Sequence, residues 1–177
     1  MRIIGGRLKG LRLNPPSNLP VRPTTDLAKE ALFNILGNQV DFEELKVLDL
    51  FSGTGNMSFE FASRGVIEVV SVDRDFKCYQ YVKSIAELHN LTQLKPVKED
   101  VFKYLKREAD RYNLIFADAP YDIPELKLIP QIVNDRELLE ENGILIVEHP
   151  STNKLDYYPN FTEQRKYGYS SFSFFGK

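Results

Sequence analysis

The sequence predicts an α/β domain, a mostly parallel sheet with helices on both faces, behind a short basic β-hairpin extension at the N-terminus. Three observations predict it. From Leu45 onward, short apolar runs alternate with stretches of helical periodicity, the pattern of strand–helix–strand units. The runs Lys46–Leu50, Val69–Val72, Leu114–Ala117 and Ile144–Val147 are nearly continuously apolar, as strands buried on both faces are. Four of the five strands end in, or run straight into, an aspartate: Asp49, Asp73, Asp100 and Asp118.

Residues 1–23 read as the extension and residues 24–177 as the main domain. In the extension Ile3 and Ile4 precede Gly5-Gly6, and Leu8, Leu11 and Leu13 alternate loosely with Arg7, Lys9 and Arg12. Two short strands around a glycine turn fit this pattern. Asn14-Pro15-Pro16-Ser17-Asn18 and Arg22-Pro23 are loop signals. A helix starts near Thr25 or Asp26, either of which can cap free N–H groups. It carries Leu27, Ala31, Leu32, Ile35 and Leu36 on one face and ends at Gly37. Helices are then expected over about 56–64, 76–89 and 101–109, between the strands. The third strand, Leu94 to Val97, is weaker because Pro96 interrupts it. A helical region over 125–140 contains Pro130, which is predicted to kink or split it. Residues 162–166 and 171–175 flank Tyr167-Gly168-Tyr169 as a terminal antiparallel hairpin. Most of the aromatic cluster there is assigned to the sheet core.

With 177 residues the chain fits one domain and a small appendage. No apolar run reaches bilayer-spanning length, and the N-terminus lacks the apolar stretch of a secretory signal. A single cysteine, Cys78, allows no internal disulfide and no zinc cysteine cluster. A cytoplasmic monomer without bound metal is expected, with His89, His149 and Cys78 in structural roles. The net charge is -2, so no global positive field draws in a polyanion. The charge is unevenly placed, however. Met1 to Thr25 holds no acidic residue but carries Arg2, Arg7, Lys9, Arg12 and Arg22. Such a stripe can bind phosphates, or simply keep an exposed edge soluble.

The turn Asp49-Leu50-Phe51-Ser52-Gly53-Thr54-Gly55-Asn56 lets the backbone approach a ligand closely at its glycines, and a helix N-terminus follows it. Dinucleotide spacing is absent, because Ser58 stands where a third glycine would be. Asp73, about 20 residues beyond the glycines, can accept from two ribose hydroxyls. Asp100 can accept from an adenine amino group or cap the next helix. Together they fit an adenosine without phosphate. Asp118-Ala119-Pro120-Tyr121 follows an apolar strand. An exocyclic base amine is a poor nucleophile because its lone pair is delocalised into the ring. Acceptors such as the Asp118 side chain and the Ala119 carbonyl could free that lone pair, and Tyr121 could stack on an extruded base.

Asp49 to Gly55 with Asp118 to Tyr121 resemble class I methyltransferases acting on exocyclic amino nitrogens, whose motif reads (D/N/S)-P-P-(Y/F/W). Further segments are Arg2-Ile3-Ile4-Gly5-Gly6, Arg22-Pro23-Thr24-Thr25-Asp26, Glu30-Ala31-Leu32-Phe33-Asn34 and Arg165-Lys166-Tyr167-Gly168. With these the chain resembles, along nearly its whole length, the bacterial 16S ribosomal RNA guanine-N2 methyltransferases, the RsmD-like family. The resemblance implies a Rossmann-like, seven-stranded sheet whose last two strands are the terminal hairpin. It implies S-adenosylmethionine as methyl donor and a guanine of small-subunit RNA, in a small-subunit particle, as acceptor. Carried over by position, Asp49, Phe51, Ser52, Gly53, Gly55, Asp73, Arg74, Asp100, Val101 and Asp118 meet the cofactor. Asp118, Ala119, Pro120 and Tyr121 meet the target base, and Arg2, Arg7, Lys9, Arg12 and Arg22 meet RNA. Ala119 departs from the motif. It keeps the backbone carbonyl and loses the fixed φ of a proline.

An adenine-N6 DNA methyltransferase shares the motif but usually needs a further recognition domain. A non-catalytic S-adenosylmethionine- or RNA-binding module is the rival that Ala119 raises. An NAD-dependent oxidoreductase lacks the glycine spacing.

Overall fold

The computed structural model describes residues 1–19 and 26–176. Seven strands form one sheet: β1 (Lys46–Leu50), β2 (Glu68–Asp73), β3 (Leu94–Lys98), β4 (Tyr112–Asp118), β5 (Leu139–Pro150), β6 (Phe161–Tyr167) and β7 (Ser170–Gly176). The order is β3-β2-β1-β4-β5-β7-β6. Strands β1 to β5 pair in parallel, and β7 runs antiparallel to β5 and β6. Pro96 is tolerated because β3 is the sheet edge, where a missing N–H breaks no ladder on the open side.

Among the described residues, five helices cover the sheet: α1 (Asp26–Gly37), α2 (Asn56–Ser63), α3 (Phe76–Leu88), α4 (Val101–Arg107) and α5 (Ile129–Asp135). Side chains alternate across the pleat, so each strand serves two cores. Val47, Val69, Phe116 and Ile146 pack with Phe33 of α1, Phe59 of α2 and Val82 of α3. Leu48, Val70, Ile115 and Val147 pack with Leu105 of α4 and Val133 of α5. The predicted helical region over 125–140 is split, as its proline foretold. A 3-10 turn over Pro124–Leu128 gives way to α5, whose second residue is Pro130. The helix stops at Asp135, and Leu139 already belongs to β5.

The N-terminal extension pairs residues 1–3 with 11–13 in antiparallel fashion: Arg2 bridges Arg12, the Ile3 N–H donates to the Leu11 carbonyl and the Leu13 N–H to the Met1 carbonyl, both at 2.9 Å. The pairing extends no further, and residues 5–10 are bends and turns. The reason lies in α2, every residue of which is buried. Its Glu60 accepts hydrogen bonds from the N–H groups of Ile4 and Gly5, both at 2.8 Å, and from Arg64 Nε at 2.9 Å. Ser63 Oγ donates to the Gly5 carbonyl and accepts from the Leu8 N–H, while the Arg7 N–H reaches the Ser63 carbonyl. The N–H groups of Ile4, Gly5 and Leu8, which a longer ladder would satisfy, are satisfied by helix side chains instead. Fully buried Lys29 completes the joint. Its ammonium donates to the Arg2 carbonyl at 2.6 Å and to Asn56 Oδ1 at 2.9 Å, and lies 3.5 Å from Glu60 Oε2.

Gly6 shows how close this docking is. Its φ is +73°, and a Cβ would lie 1.9 Å from the Ser63 carbonyl oxygen. Gly10 has a similar φ of +88° but open space around it. Gly10→Ala should therefore cost only the left-handed backbone penalty, about 1–2 kcal/mol. Gly6→Ala should cost at least twice as much in thermal or urea denaturation. Equal losses would contradict the described docking. Arg22, Thr25 and the 23/24 division lie outside the described residues, as does Lys177.

Candidate active site

Register brings the strand-end carboxylates to one edge and one face. Asp49 is level with Ser71 on β2 and Phe116 on β4, and Phe116 is level with Ile146 on β5. Asp73, Asp118 and Glu148 stand two residues beyond those partners. They share the face bearing α1 to α3, one pleat nearer the carboxyl ends. The same edge carries a cleft of about 690 Å³, within the usual range for a small-molecule site. Every residue carried over as cofactor-binding lines it except Gly55, and all of Asp118 to Tyr121 line it.

Gly55 has another task. It caps α2 in a left-handed conformation, φ +76°, and a Cβ there would meet Phe59 and Val82 at 2.9 Å. It lets the helix pack tightly under the turn and does not face the cleft. Phe51 and Gly53 are also left-handed, so the turn doubles back over the end of β2. There the Gly53 N–H donates to Asp73 Oδ2 at 2.8 Å, and the Asp75 N–H to Asp73 Oδ1 at 2.8 Å. Asp73 is thus oriented by two backbone donors, with further lone pairs for ligand hydroxyls. Asp100 caps α4 through the Lys103 N–H at 3.1 Å and also lines the cleft. Both local readings of Asp100 are compatible in one geometry.

Asp49 is 1% exposed and accepts from the Ser58 hydroxyl. Burial pushes its carboxyl up to about 7, against the pull of the Ser58 hydrogen bonds and with a smaller push from Asp73. Cys78 is buried and its thiol is pushed up to about 12 by desolvation, so it stays protonated and inert. His149 is buried between the Pro150 carbonyl and Ser173 Oγ, a packing role. Ala119 is 1% exposed beside half-buried Asp118 and Tyr121.

Arg2, Arg7, Lys9 and Arg12 are all exposed. Arg2 and Arg12 are bridge partners at the end of the extension joined through Lys29 to Asn56, a cleft residue. Arg7 sits at the other end of α2 and donates to the His89 carbonyl. Sequence reasoning missed Asn56 and Glu148, which line the cleft. Nothing local marks Asn56. Glu148 directly follows an apolar run, the same signal that marked Asp118.

The sheet order, the reversed β7 and the cleft over the carboxyl ends define a class I, S-adenosylmethionine-dependent methyltransferase. Solved structures bear out the fold. Escherichia coli yhhF superposes with a TM-score of 0.86 at 23% identity, covering 100% of this chain and 97% of that one. Thermus thermophilus 16S rRNA N2 methyltransferase RsmC, solved with AdoMet and guanosine, gives a TM-score of 0.73 at 22% identity, covering 100% of this chain and 49% of that one. The family model described as conserved hypothetical protein 95 matches residues 1–176, and the chain belongs to this RsmD-like methyltransferase family. YlbH of Bacillus subtilis is 38% identical over 153 residues, 84% of this chain and 82% of that one. Ribosomal RNA small subunit methyltransferase D of Escherichia coli K12 is 28% identical over 160 residues, 90% of this chain and 79% of that one. Among the described residues, no helix is long and apolar enough to cross a membrane.

Proposed function

We propose that this chain, acting as a cytoplasmic monomer, methylates the N2 amino group of a guanine in 16S ribosomal RNA within a small-subunit particle. The observation that carries the reading is the position of Asp118. It stands on the same face and edge as Asp73, next to the β1–α2 turn, in one cleft with Tyr121. The names of the E. coli relative and of the RsmC structure support the choice of acceptor.

When bound, S-adenosylmethionine supplies a sulfonium-activated methyl group, and the C–S electron pair stays on sulfur as the N–C bond forms. The residues fit that donor. Asp73 offers lone pairs to ribose hydroxyls, Asp100 an acceptor to the adenine amine, and the 51–53 turn a close backbone wall. Arg74 and Val101 close the adenosine end. Asp118 and the Ala119 carbonyl accept the two N–H bonds of the target amine, turning its lone pair out of conjugation and toward the methyl group. One amine proton passes to Asp118 and then to water. Pro120 and Tyr121 hold the base at attack distance, so positioning supplies most of the rate. Ala119 keeps its carbonyl, and its buried Cβ keeps the backbone packed without the proline ring. Arg2 and Arg12, with Arg22, Arg7 and Lys9, grip the RNA backbone.

Asp49 makes cofactor affinity depend on pH. A cationic methionine end favours the ionised carboxylate, so binding is linked to loss of the proton held up to about pH 7. S-adenosylmethionine should bind roughly eightfold more weakly at pH 6 than at pH 7.5 by this linkage, and Asp49→Asn should flatten the dependence. The sign for stability is opposite in form. The folded carboxyl holds its proton up to about 7, against 3.8 for an ordinary one, so Asp49's contribution to stability declines as pH rises between those values. Calorimetric titration across this range checks the first effect; a pH-independent Kd in the unsubstituted protein contradicts it.

The direct test is mass analysis of nucleosides after incubation with S-adenosylmethionine and either ribosomal RNA, small subunits or DNA. N2-methylguanosine in the ribosomal material is the expected product.

A further inference from the structure

We propose that Glu148 is the residue that selects guanine, by accepting the N1–H of the target base beside the amine held at Asp118. The inference rests on the guanine-N2 reading above and names its specificity determinant. Glu148 is 4% exposed, yet it lines the cleft. Its position follows from topology. It ends the apolar part of β5 and is the register partner of Asp118 on β4, on strands spaced about 4.8 Å apart. Both side chains lie on the α1–α3 face, because Phe116 and Ile146, two residues earlier on their strands, pack into that core. The ribose- and adenine-side carboxylates, Asp73 and Asp100, end strand β2 and follow strand β3. Glu148 therefore lies on the opposite side of Asp118, where the acceptor base must enter.

The chemistry of the base edges decides what such a pair recognises. Guanine presents two adjacent donors, N1–H and the N2 amine, and a pair of carboxylates side by side accepts from both. Adenine presents its amine beside a bare N1, which is itself an acceptor. A carboxylate oxygen facing that lone pair meets a second acceptor where guanine offers a donor. Sites built around a buried hydrogen-bonding group reject analogues that cannot pair with it by orders of magnitude. Asp118 alone polarises any exocyclic amine. Asp118 with Glu148 accepts only a base whose ring nitrogen carries a proton next to that amine.

The test uses RNA carrying guanine or 2-aminopurine at the target position. The analogue keeps the 2-amino group, but its N1 is an acceptor. The unsubstituted enzyme should prefer guanine in kcat/KM by at least about a hundredfold. In Glu148→Gln the side-chain amide can present either its oxygen or its N–H, so the preference should fall at least tenfold, through faster turnover of 2-aminopurine as well as slower turnover of guanine. Glu148→Asp keeps the charge but withdraws it, and should lower guanine turnover without raising that of the analogue. A loss of folding or of cofactor affinity alone would slow both bases equally and leave the ratio unchanged. An unsubstituted enzyme that does not distinguish the two bases, or an unchanged ratio in Glu148→Gln, overturns the proposal. Absence of N2-methylguanosine from the unsubstituted reaction overturns the reading beneath it, and is seen before any variant is made.

Discussion

Asp118→Ala is expected to lower kcat for methyl transfer by about a thousandfold, in the range that loss of a positioned polar group costs at an active site. The Kd for S-adenosylmethionine should stay within about twofold, because Asp73, Asp100 and the Gly53 turn are untouched and Asp73 is held by its own backbone donors. Two roles are combined at Asp118, and a second variant separates them. Asp118→Asn retains a carbonyl oxygen that accepts an amine N–H, but it cannot take a proton. Substantial turnover in Asp118→Asn with none in Asp118→Ala assigns the main effect to holding the amine. Loss in both assigns it to proton acceptance. Retained turnover in Asp118→Ala contradicts the catalytic assignment altogether. Single-turnover measurement with labelled methyl donor, alongside calorimetry of cofactor binding, gives both numbers.

Glu60→Ala is expected to have the largest effect on stability. Glu60 is fully buried and serves four donors: Ile4 N–H, Gly5 N–H, Arg64 Nε and the Lys29 ammonium. Burial pulls the Lys29 ammonium down, and Glu60 is the foremost influence holding it up. Without Glu60 a buried cation loses its counter-charge and two backbone N–H groups lose their acceptor. Breaking such a pair costs about 3–5 kcal/mol. For a chain of this size the loss corresponds to a fall in Tm of roughly 6–20 °C. The double variant Lys29→Met, Glu60→Gln removes both charges and should lose less than the sum of the single losses. A fall of only a degree or two in Glu60→Ala would contradict the joint. The joint also has a functional reading. Lys29 links the Arg2 carbonyl to Asn56 at the cleft, so loosening it should weaken RNA and cofactor affinity together.

Asp49, Asp73 and Asp118 were legible because each lies at the end of an apolar run, and a parallel sheet brings the ends of such runs to one edge. Glu148 follows a run of the same kind, but it lies beyond the run Ile144–Val147 expected to form the strand. The strand continues there only because β7 pairs with it from the other side, setting Phe172 opposite Glu148. That pairing is made by residues more than twenty positions later, beyond the reach of local pattern. Lys29 and Glu60 were invisible for a related reason. Each sits in an amphipathic helix where a charged residue normally faces water. They are buried because the extension folds back over them. The same contact explains why Leu11 and Leu13 pair with Ile3 and Met1 over a single bridge while Leu8 lies in a turn. The leucines pack on the core, while neighbouring N–H groups are taken by Glu60 and Ser63. Gly55 was legible as a glycine that must be glycine. The reason, contact with Phe59 and Val82 rather than with a ligand, needed the packing.

The central claim is tested most directly by incubating unmethylated small ribosomal subunits with this protein and labelled S-adenosylmethionine, then digesting the RNA and identifying the labelled nucleoside by mass. The expected result is label in N2-methylguanosine alone, lost in Asp118→Ala. Label in N6-methyladenosine, or no transfer to the ribosomal RNA, would contradict it.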